Sequence, residues 1–489
     1  MLKKIAVIGS GFSSLSAAID LAADGFEVDL FEKNSSIGGR ARKLEKDGFT
    51  FDMGPSWYWM ADVFDDFFRK HNKKTTDYFQ LSKLDPGFSI YFNKEERIQV
   101  SPSFEELKKT FENIEIGGAR KLEKFMKRAK IKYNIGMKEL VYKPSNSVLE
   151  FVNFKVLFGL FYLNIFSSFS KYVRRYFKDP KLIQLMEFPI LFLGAIPENT
   201  PALYSLMNYT GLVEGTYYPD GGFYSVVKGF EKLAIEKGVK ICTDAAISKI
   251  NVKGDVAKSI IIDDEEYFYD AIVAGADYYH VEQDLLDKKY RNYNFKYWEN
   301  RKLAPSSLLF YLGVNKKLNN IEHHTLFFDK DFKLHANEIY EDPKWPTDPL
   351  FYMSCSSLTD ATTAPEGMEN IVLLIPIAPG IKDTDEIREK YLSLLLERLH
   401  ELTGNDIADN IIFKKTYCIN DFKSDYNAFK GNAYGLANTL KQTAILKPKI
   451  RNKKVKNLFY AGQLTVPGPG VPPSIISGQI AAKEVNKYF

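Results

Sequence analysis

Lys3-Lys4-Ile5-Ala6-Val7-Ile8-Gly9-Ser10-Gly11-Phe12-Ser13-Ser14 is the stretch whose reading decides the fold. Its apolar run predicts a short buried strand, its two glycines a tight turn, and Leu15 to Ala23 a helix that Gly25 ends. Glu27 to Phe31 predicts a second strand, and Glu32 follows 21 residues after Gly11. In such a unit Gly9 permits the turn and Gly11 lets the backbone approach a pyrophosphate. The helix start directs unpaired N–H groups and a partial positive charge at the phosphates. A carboxylate at Glu32 is placed to accept hydrogen bonds from both hydroxyls of an adenosine ribose. Ser14 stands where a third glycine would let helix pack on strand, and serine is small enough to serve. The alternative is an ordinary βαβ turn; with strand, helix and acid all in place, a dinucleotide site is the expectation.

Gly38-Gly39-Arg40 begins six residues after Glu32-Lys33 opens the next loop, and supplies a guanidinium able to approach the same pyrophosphate. The spacing of Gly9, Gly11, Ala18, Leu21, Gly25, Val28, Glu32 and Gly38-Gly39 resembles the flavoprotein signature of the glutathione-reductase and amine-oxidase type. That resemblance implies FAD as cofactor, and Ser13, Ser14, Lys33, Gly39 and Arg40 as contacts beside Gly9, Gly11 and Glu32.

The chain has 489 residues, enough for two or three domains. Its 37 Phe and 29 Tyr suit a large apolar pocket and equally an ordinary core, and a net charge of +4 is too small to suggest nucleic acid. Cys242, Cys355 and Cys418 show neither metal nor disulfide spacing, so a reducing cytoplasm is expected. Of the six histidines only His323 and His324 adjoin, and no metal site is expected. Met1 to Ile8 reads as the first strand, too short for a signal peptide.

Further along, Phe51-Asp52-Met53-Gly54-Pro55-Ser56, following Gly38-Gly39-Arg40-Ala41-Arg42, is similar to the bacterial and fungal phytoene desaturase (carotenoid desaturase) family. The resemblance covers the whole chain and implies that Gly54, Pro55 and Ser56 lie beside a flavin. Trp57 and Tyr58 follow as candidate substrate contacts, joined by Phe188, Phe192 and Tyr218. Tyr218-Pro219-Asp220-Gly221-Gly222-Phe223 resembles the segment by which this family re-enters its nucleotide domain, where the position of Ile247 meets the adenine. Near the C-terminus a strand ends at Gly462, and Pro467-Gly468-Pro469-Gly470-Val471 precedes a last helix. There the resemblance places Gly462, Gln463 and Val471 at the flavin, although Gln463 and Thr465 to Gly468 depart from the family pattern. A proline-led helix start could stabilise negative charge on a reduced flavin.

The expected fold class is α/β, with a Rossmann-like FAD domain assembled from residues 1–85, 215–290 and 410–489. An α+β substrate domain is expected from 86–119 and 291–409, and a helical basic-apolar part from 120–214. Residues 120–181 hold 15 Lys plus Arg against 4 Asp plus Glu, leaving the rest of the chain net acidic. Inside this block Val156 to Ser170 is fifteen residues without a charge, short of the roughly 20 that span a bilayer. It suits a helix lying in the interface of an anionic membrane, so a cytoplasmic protein peripheral on the inner face of the cell membrane is expected. A buried helix beside a solvated basic face is the plainer reading.

Family resemblance implies FAD-dependent desaturation of a carotenoid, with phytoene toward lycopene as the first expectation, and quinone or oxygen as final acceptor. A later desaturase of a cyclised or hydroxylated carotenoid, a flavin amine oxidase, and a lipid carrier that has lost its flavin are the alternatives. No general base is evident: Asp52 is near the flavin turn only in sequence, and a turn carboxylate is the simpler role for it.

Overall fold

The computed structural model describes residues 2–151, 163–164, 167–439 and 441–489. Residues 156–162 and 165–166 of the expected interfacial stretch lie outside the described residues.

A five-stranded parallel sheet forms the first domain. Its strands are β1 (Lys4–Ile8), β2 (Glu27–Phe31), β3 (Lys240–Cys242), β4 (Ala271–Ala274) and β5 (Leu458–Tyr460), in spatial order β5-β4-β1-β2-β3. The apolar run of β1 is continuous because both faces are covered. Ile5 and Val7 pack with α1 (Phe12–Ala23), α2 (Phe223–Glu236) and α3 (Val471–Asn486). Ala6 and Ile8 face an antiparallel three-stranded sheet, Ile247–Lys253, Val256–Ile262 and Glu265–Phe268.

Small residues set the helix spacing. A methyl group at Gly478 would stand 2.1 Å from both the Ser13 carbonyl and Ser16 Oγ. Ser16 Oγ in turn donates to the Ile475 carbonyl at 3.0 Å, so α3 lies directly on α1. Ser14 has the same character on the other side: its Oγ donates to the Ile8 carbonyl at 3.3 Å, and Gly275 leaves the space it occupies.

A seven-stranded mixed sheet forms the second domain, in the order Ile411–Tyr417, Ser306–Val314, Glu369–Ile377, Phe351–Ser354, His324–Phe327, Phe88–Tyr91, Arg97–Val100. Ile411–Tyr417 corrects the expected boundary at residue 410: it is the edge strand of this second sheet, paired with Ser306–Val314. Leu308, Phe310 and Leu312 pack on one face with helix Asp385–Thr403, whose N-cap is Thr384. Leu309 and Tyr311 point to the other face, where they meet Phe49, Phe51 and Met53 of the hairpin Lys43–Lys46/Phe49–Asp52. Tyr311 donates its hydroxyl to the Met53 carbonyl at 3.0 Å, which fastens the following Gly54-Pro55-Ser56 turn between the two domains.

Helix Phe104–Ile114 and helix Gly118–Ile135 begin a third, mainly helical part. It contains Pro180–Glu187, capped by Asp179 with a proline in its first turn. Gly478→Ala is expected to destabilise the protein by about 1–3 kcal/mol through overpacking of α1 on α3. Urea unfolding would measure this, and wild-type stability would refute the close-approach argument.

Candidate functional site

A cavity of about 290 Å³ opens where β1, β4 and β5 end, between the two domains. Its floor is Gly9 to Ser13. Gly9 adopts φ +89°, and the extended Gly11 precedes α1 with no side chain capping the helix, which leaves first-turn N–H groups for another acceptor. A methyl group at Gly11 would meet no protein atom within 4 Å, so the space against it belongs to the cavity.

Glu32 lies at one end, 4% exposed. One of its oxygens accepts from Ser10 N (3.1 Å) and Ser10 Oγ (2.6 Å), the other from Asn34 N (2.9 Å) and Asn34 Nδ2 (2.7 Å). These contacts fill about four lone-pair positions, so a ribose hydroxyl would displace a donor. Asn34 Nδ2 is the one with an alternative, the Asp425 carbonyl at 3.2 Å. Lys33 lines the same end, its Nζ donating to the Ser424 carbonyl at 2.6 Å.

Arg40, Asp277 and Tyr426 make the middle wall. Burial holds the Arg40 guanidinium below its usual range while the Asp277 carboxylate opposes that shift. The guanidinium lies 5.2 Å from the centre of the Tyr426 ring, and its Nε is buried without a hydrogen-bond partner. Gly38 and Gly39 adopt φ +107° and +55° to bring this loop against Gly11, where a methyl group on Gly39 would lie 3.2 Å from Gly11 Cα.

The far end is formed by Met53, Gly54, Pro55, Ser307, Leu309, Leu374, Tyr434, Gly462, Gln463 and Val471, with Ile247 back at the Glu32 end. With its amide nitrogen turned to the Ala433 carbonyl (3.2 Å), Gln463 accepts from Arg40 Nη2 (3.1 Å). Gly462 N donates to Ser477 Oγ at 3.0 Å.

Of the fifteen cofactor candidates, Ser14 and Ser56 stand apart from this cavity. Ser14 is fully buried behind it, against Gly275. Ser56 lines a smaller adjoining cavity with Tyr352, Ser354 and Asn370, and the two cavities share Gly54, Leu309 and Leu374. Trp57, Tyr58, Phe188 and Tyr218 are also absent from the main wall. Trp57 and Phe188 belong to an aromatic cluster with Phe88 and Trp59, ring centres 5.2–6.3 Å apart. Tyr58 is core, stacked on Phe64 at 4.4 Å. Tyr218 is buried and donates to Asp360 at 3.2 Å. The Phe192 side chain lies outside the described residues. Sequence reading gave no site role to Asp277, Tyr426 and Tyr434, which reach the wall from distant strands and loops; the strand end Ala274-Gly275-Ala276-Asp277 and the glycine-flanked Gly431-Asn432-Ala433-Tyr434-Gly435 were the local signals.

Asp52 is a turn carboxylate. It accepts from Phe223 N at 2.8 and 2.9 Å at the start of α2, where Gly222 leaves room for it. Burial pushes it up to about 7, against the opposing effect of these N–H groups. Because the folded state binds this proton more tightly, its stabilisation is complete below about pH 4 and is lost as pH rises through about 7. Thermal unfolding from pH 4 to 8 should therefore show wild type losing about 2–4 kcal/mol relative to Asp52→Asn; parallel curves would exclude a proton on Asp52.

A sequence profile described as flavin containing amine oxidoreductase matches residues 12–486. Carotenoid 3,4-desaturase of Haloarcula japonica is 39% identical over 480 residues, 98% of this chain and 97% of that one. The zeta-carotene-forming phytoene desaturase of Myxococcus xanthus is 29% identical, with 99% and 94% covered. The 4,4'-diapophytoene desaturase (4,4'-diaponeurosporene-forming) of Staphylococcus haemolyticus is 31% identical, with 98% of each covered. Among solved structures, an oxidoreductase from Methanosarcina mazei has a TM-score of 0.62 at 15% identity, covering 98% of this chain and 100% of that one. Putrescine oxidase bound to putrescine has 0.62 at 12% identity, covering 100% and 99%; at these identities the likeness is one of fold. A full-length match to the flavin profile and relatives of matching length together decide the assignment: the chain belongs to the flavin-containing amine oxidoreductases and, within them, to the carotenoid desaturases.

Proposed function

We propose that this protein is an FAD-dependent desaturase that introduces a C=C bond into a long carotenoid at a lipid surface. Its full-length relationship to carotenoid desaturases carries the reading, and the residues of the cavity fit the cofactor. The buried Arg40 Nε without a partner, the uncapped start of α1 and the open space at Gly11 suit a diphosphate. Glu32, Lys33 and Ile247 would hold the adenosine, and Gly9, Gly11 and Ser13 the phosphates beside it. Gly39 and Arg40 would hold the diphosphate. Gly54, Pro55, Gly462, Gln463 and Val471 would hold the flavin half.

FAD supplies, when bound, an acceptor for a hydride from an allylic carbon. The chain's own task is to align an apolar polyene and to exclude water. Trp57, Phe88 and Phe188 form an aromatic cluster directly beside the turn that borders the cavity; Phe88 and Phe188 are buried in the core, and the partly exposed Trp57 is the ring a polyene would meet. A conjugated chain spreads the charge that develops on carbon, so alignment rather than a strong electrostatic clamp is what the protein must provide.

Phytoene conversion toward lycopene is one substrate reading. The higher identity to a carotenoid 3,4-desaturase than to the phytoene and diapophytoene desaturases favours a second, desaturation of an already conjugated carotenoid near its end. FAD-loaded protein with liposomes and each carotenoid separates them by product chromatography. Unchanged phytoene with a converted late carotenoid selects the second, and conversion of neither, with peroxide formed from amines, would replace both by an amine oxidase.

Surface association is supported by exposed Lys124, Lys127, Arg128 and Lys130 beside exposed Ile131 on helix Gly118–Ile135. Among the described residues no helix is long and apolar enough to cross a membrane. Electrons would pass on to a quinone or to oxygen. Co-sedimentation with anionic vesicles should weaken when those four cations become Gln and at high salt; unchanged binding would count against this surface. Gly11→Ala should leave unfolding stability within about 0.5 kcal/mol while weakening FAD binding at least about tenfold, since the methyl group enters the cavity and not the core. Fluorescence titration of released FAD measures the second quantity, and unaltered affinity would refute the placement of the diphosphate.

A further inference from the structure

Dehydrogenating a CH–CH unit releases a proton as well as a hydride. A hydrogen-bonded chain beside the main cavity offers a place for that proton. Tyr352 lies on strand Phe351–Ser354 and His324 on the neighbouring antiparallel strand. Tyr352 pairs with Leu326, two residues from His324, so both side chains share one face of the sheet. The Tyr352 hydroxyl is 2.7 Å from His324 Nδ1 and 2.9 Å from Ser56 Oγ.

The position of this chain is informative. Ser56 belongs to the turn that borders the cofactor cavity, and the small cavity lined by Ser56 and Tyr352 shares Gly54, Leu309 and Leu374 with it. On the other side Trp57 stacks flat on His324, ring centres 4.2 Å apart and planes at 10°, and joins the aromatic cluster formed with the buried Phe88 and Phe188. The hydroxyl therefore stands between the small cavity that adjoins the cofactor cavity and the aromatic cluster whose partly exposed member is Trp57. A hydrocarbon chain offers no hydrogen bond, so binding alone gives no reason for a buried Ser-Tyr-His chain at this junction. His324 Nε2 is buried without a hydrogen-bond partner, so Tyr352 is the polar group that orients the ring. Burial, with His323 adjoining, keeps His324 well below its usual range, and burial raises Tyr352, so both groups are neutral at rest.

We propose that Tyr352 and His324 form the proton-accepting pair of the desaturation. The inference rests on the desaturase reading. One C–H bond of the substrate breaks with its electron pair leaving as hydride to oxidised FAD, the oxidant of the family reaction. The neighbouring C–H bond breaks with its electron pair staying to form the second bond of C=C. Its proton goes to the Tyr352 oxygen as the proton of Tyr352 passes to His324 Nδ1, and it returns to solvent by the same hydroxyl as product leaves. A low basicity suffices, because a C–H bond beside a developing allylic cation is strongly acidic.

The test uses full-length FAD-loaded protein in liposomes, with Tyr352→Phe, His324→Gln and, as control, Tyr267→Phe at an exposed site. Substrate is supplied unlabelled and deuterated at the carbon that loses the proton. Both Tyr352→Phe and His324→Gln should lower kcat about 100-fold while KM, bound-flavin absorbance and the control are unchanged. Deuterium at the proton-losing carbon should slow the two variants more than it slows wild type, an effect that a purely structural role does not produce. If Tyr352→Phe fails to hold flavin, the isotope effect in His324→Gln decides. Variants within about threefold of wild type, or an isotope effect equal to wild type, overturn the proposal while leaving the desaturase reading intact; a wild type inactive on every carotenoid overturns that reading and this one with it.

Discussion

The turn Asp52 to Ser56 is held from three sides, and the rest of the site depends on that clamp. A methyl group at Gly54 would stand 2.1 Å from the Arg40 carbonyl oxygen, so the turn lies directly on the backbone of the Gly38 to Ala41 loop. The Met53 carbonyl accepts from Tyr311 on the second sheet, and the Asp52 carboxylate accepts from the start of α2. A segment that belongs by chain order to the first domain is thus bonded to both. Its two ends serve different environments: Gly54 and Pro55 complete the polar cavity, whereas Ser56 and Trp57 meet Tyr352 and the aromatic cluster.

This clamp also explains which features were legible in the sequence. The unit from Lys3 to Glu32 is readable because everything it needs is local: alternation buries both faces of β1, and Gly9 supplies a positive φ at the turn. Thr384, the N-cap of helix Asp385–Thr403, is a local feature of the same kind. Strand Ile411–Tyr417 was not, since an edge strand with Lys414 and Lys415 exposed carries too little apolar alternation to declare its sheet. Ser14 was recognised as the small residue of the fingerprint, but the space it fills is provided by Gly275, far along the chain. Trp57 and Tyr58 look equivalent in sequence and differ in structure because successive extended residues point to opposite sides; within one core cluster Trp57 stays partly exposed against Phe88, whereas Tyr58 is buried against Phe64.

Tyr426 and Asp425 illustrate the other limit. No local pattern marks them, yet they close one side of the cavity through contacts with the glycine loop and the start of the fold. Arg42 pairs with Asp425, the rings of Tyr426 and the guanidinia of Arg40 and Arg42 lie 5.2 Å apart, and Lys33 reaches the Ser424 carbonyl. Each contact is partly exposed and individually weak. Together they fasten residues 424–427 across the loop that carries Arg40.

The order of these segments has a consequence for loading. The Glu32 end of the cavity is built from the first forty residues and 245–247, but its cover comes from 425–427 and its far end from 53–55 and 462–471. α3, which carries Val471, is held by the close approach of Gly478 to α1. A cofactor spanning the cavity would therefore touch segments from both ends of the chain, and its binding free energy would be distributed over the packing of α1 on α3 and the contacts across 424–427. Binding to the folded state alone stabilises it by mass action. In this chain that linkage acts at the contact between the first helix and the last, so the geometry that positions the nucleotide is also the geometry that closes the fold.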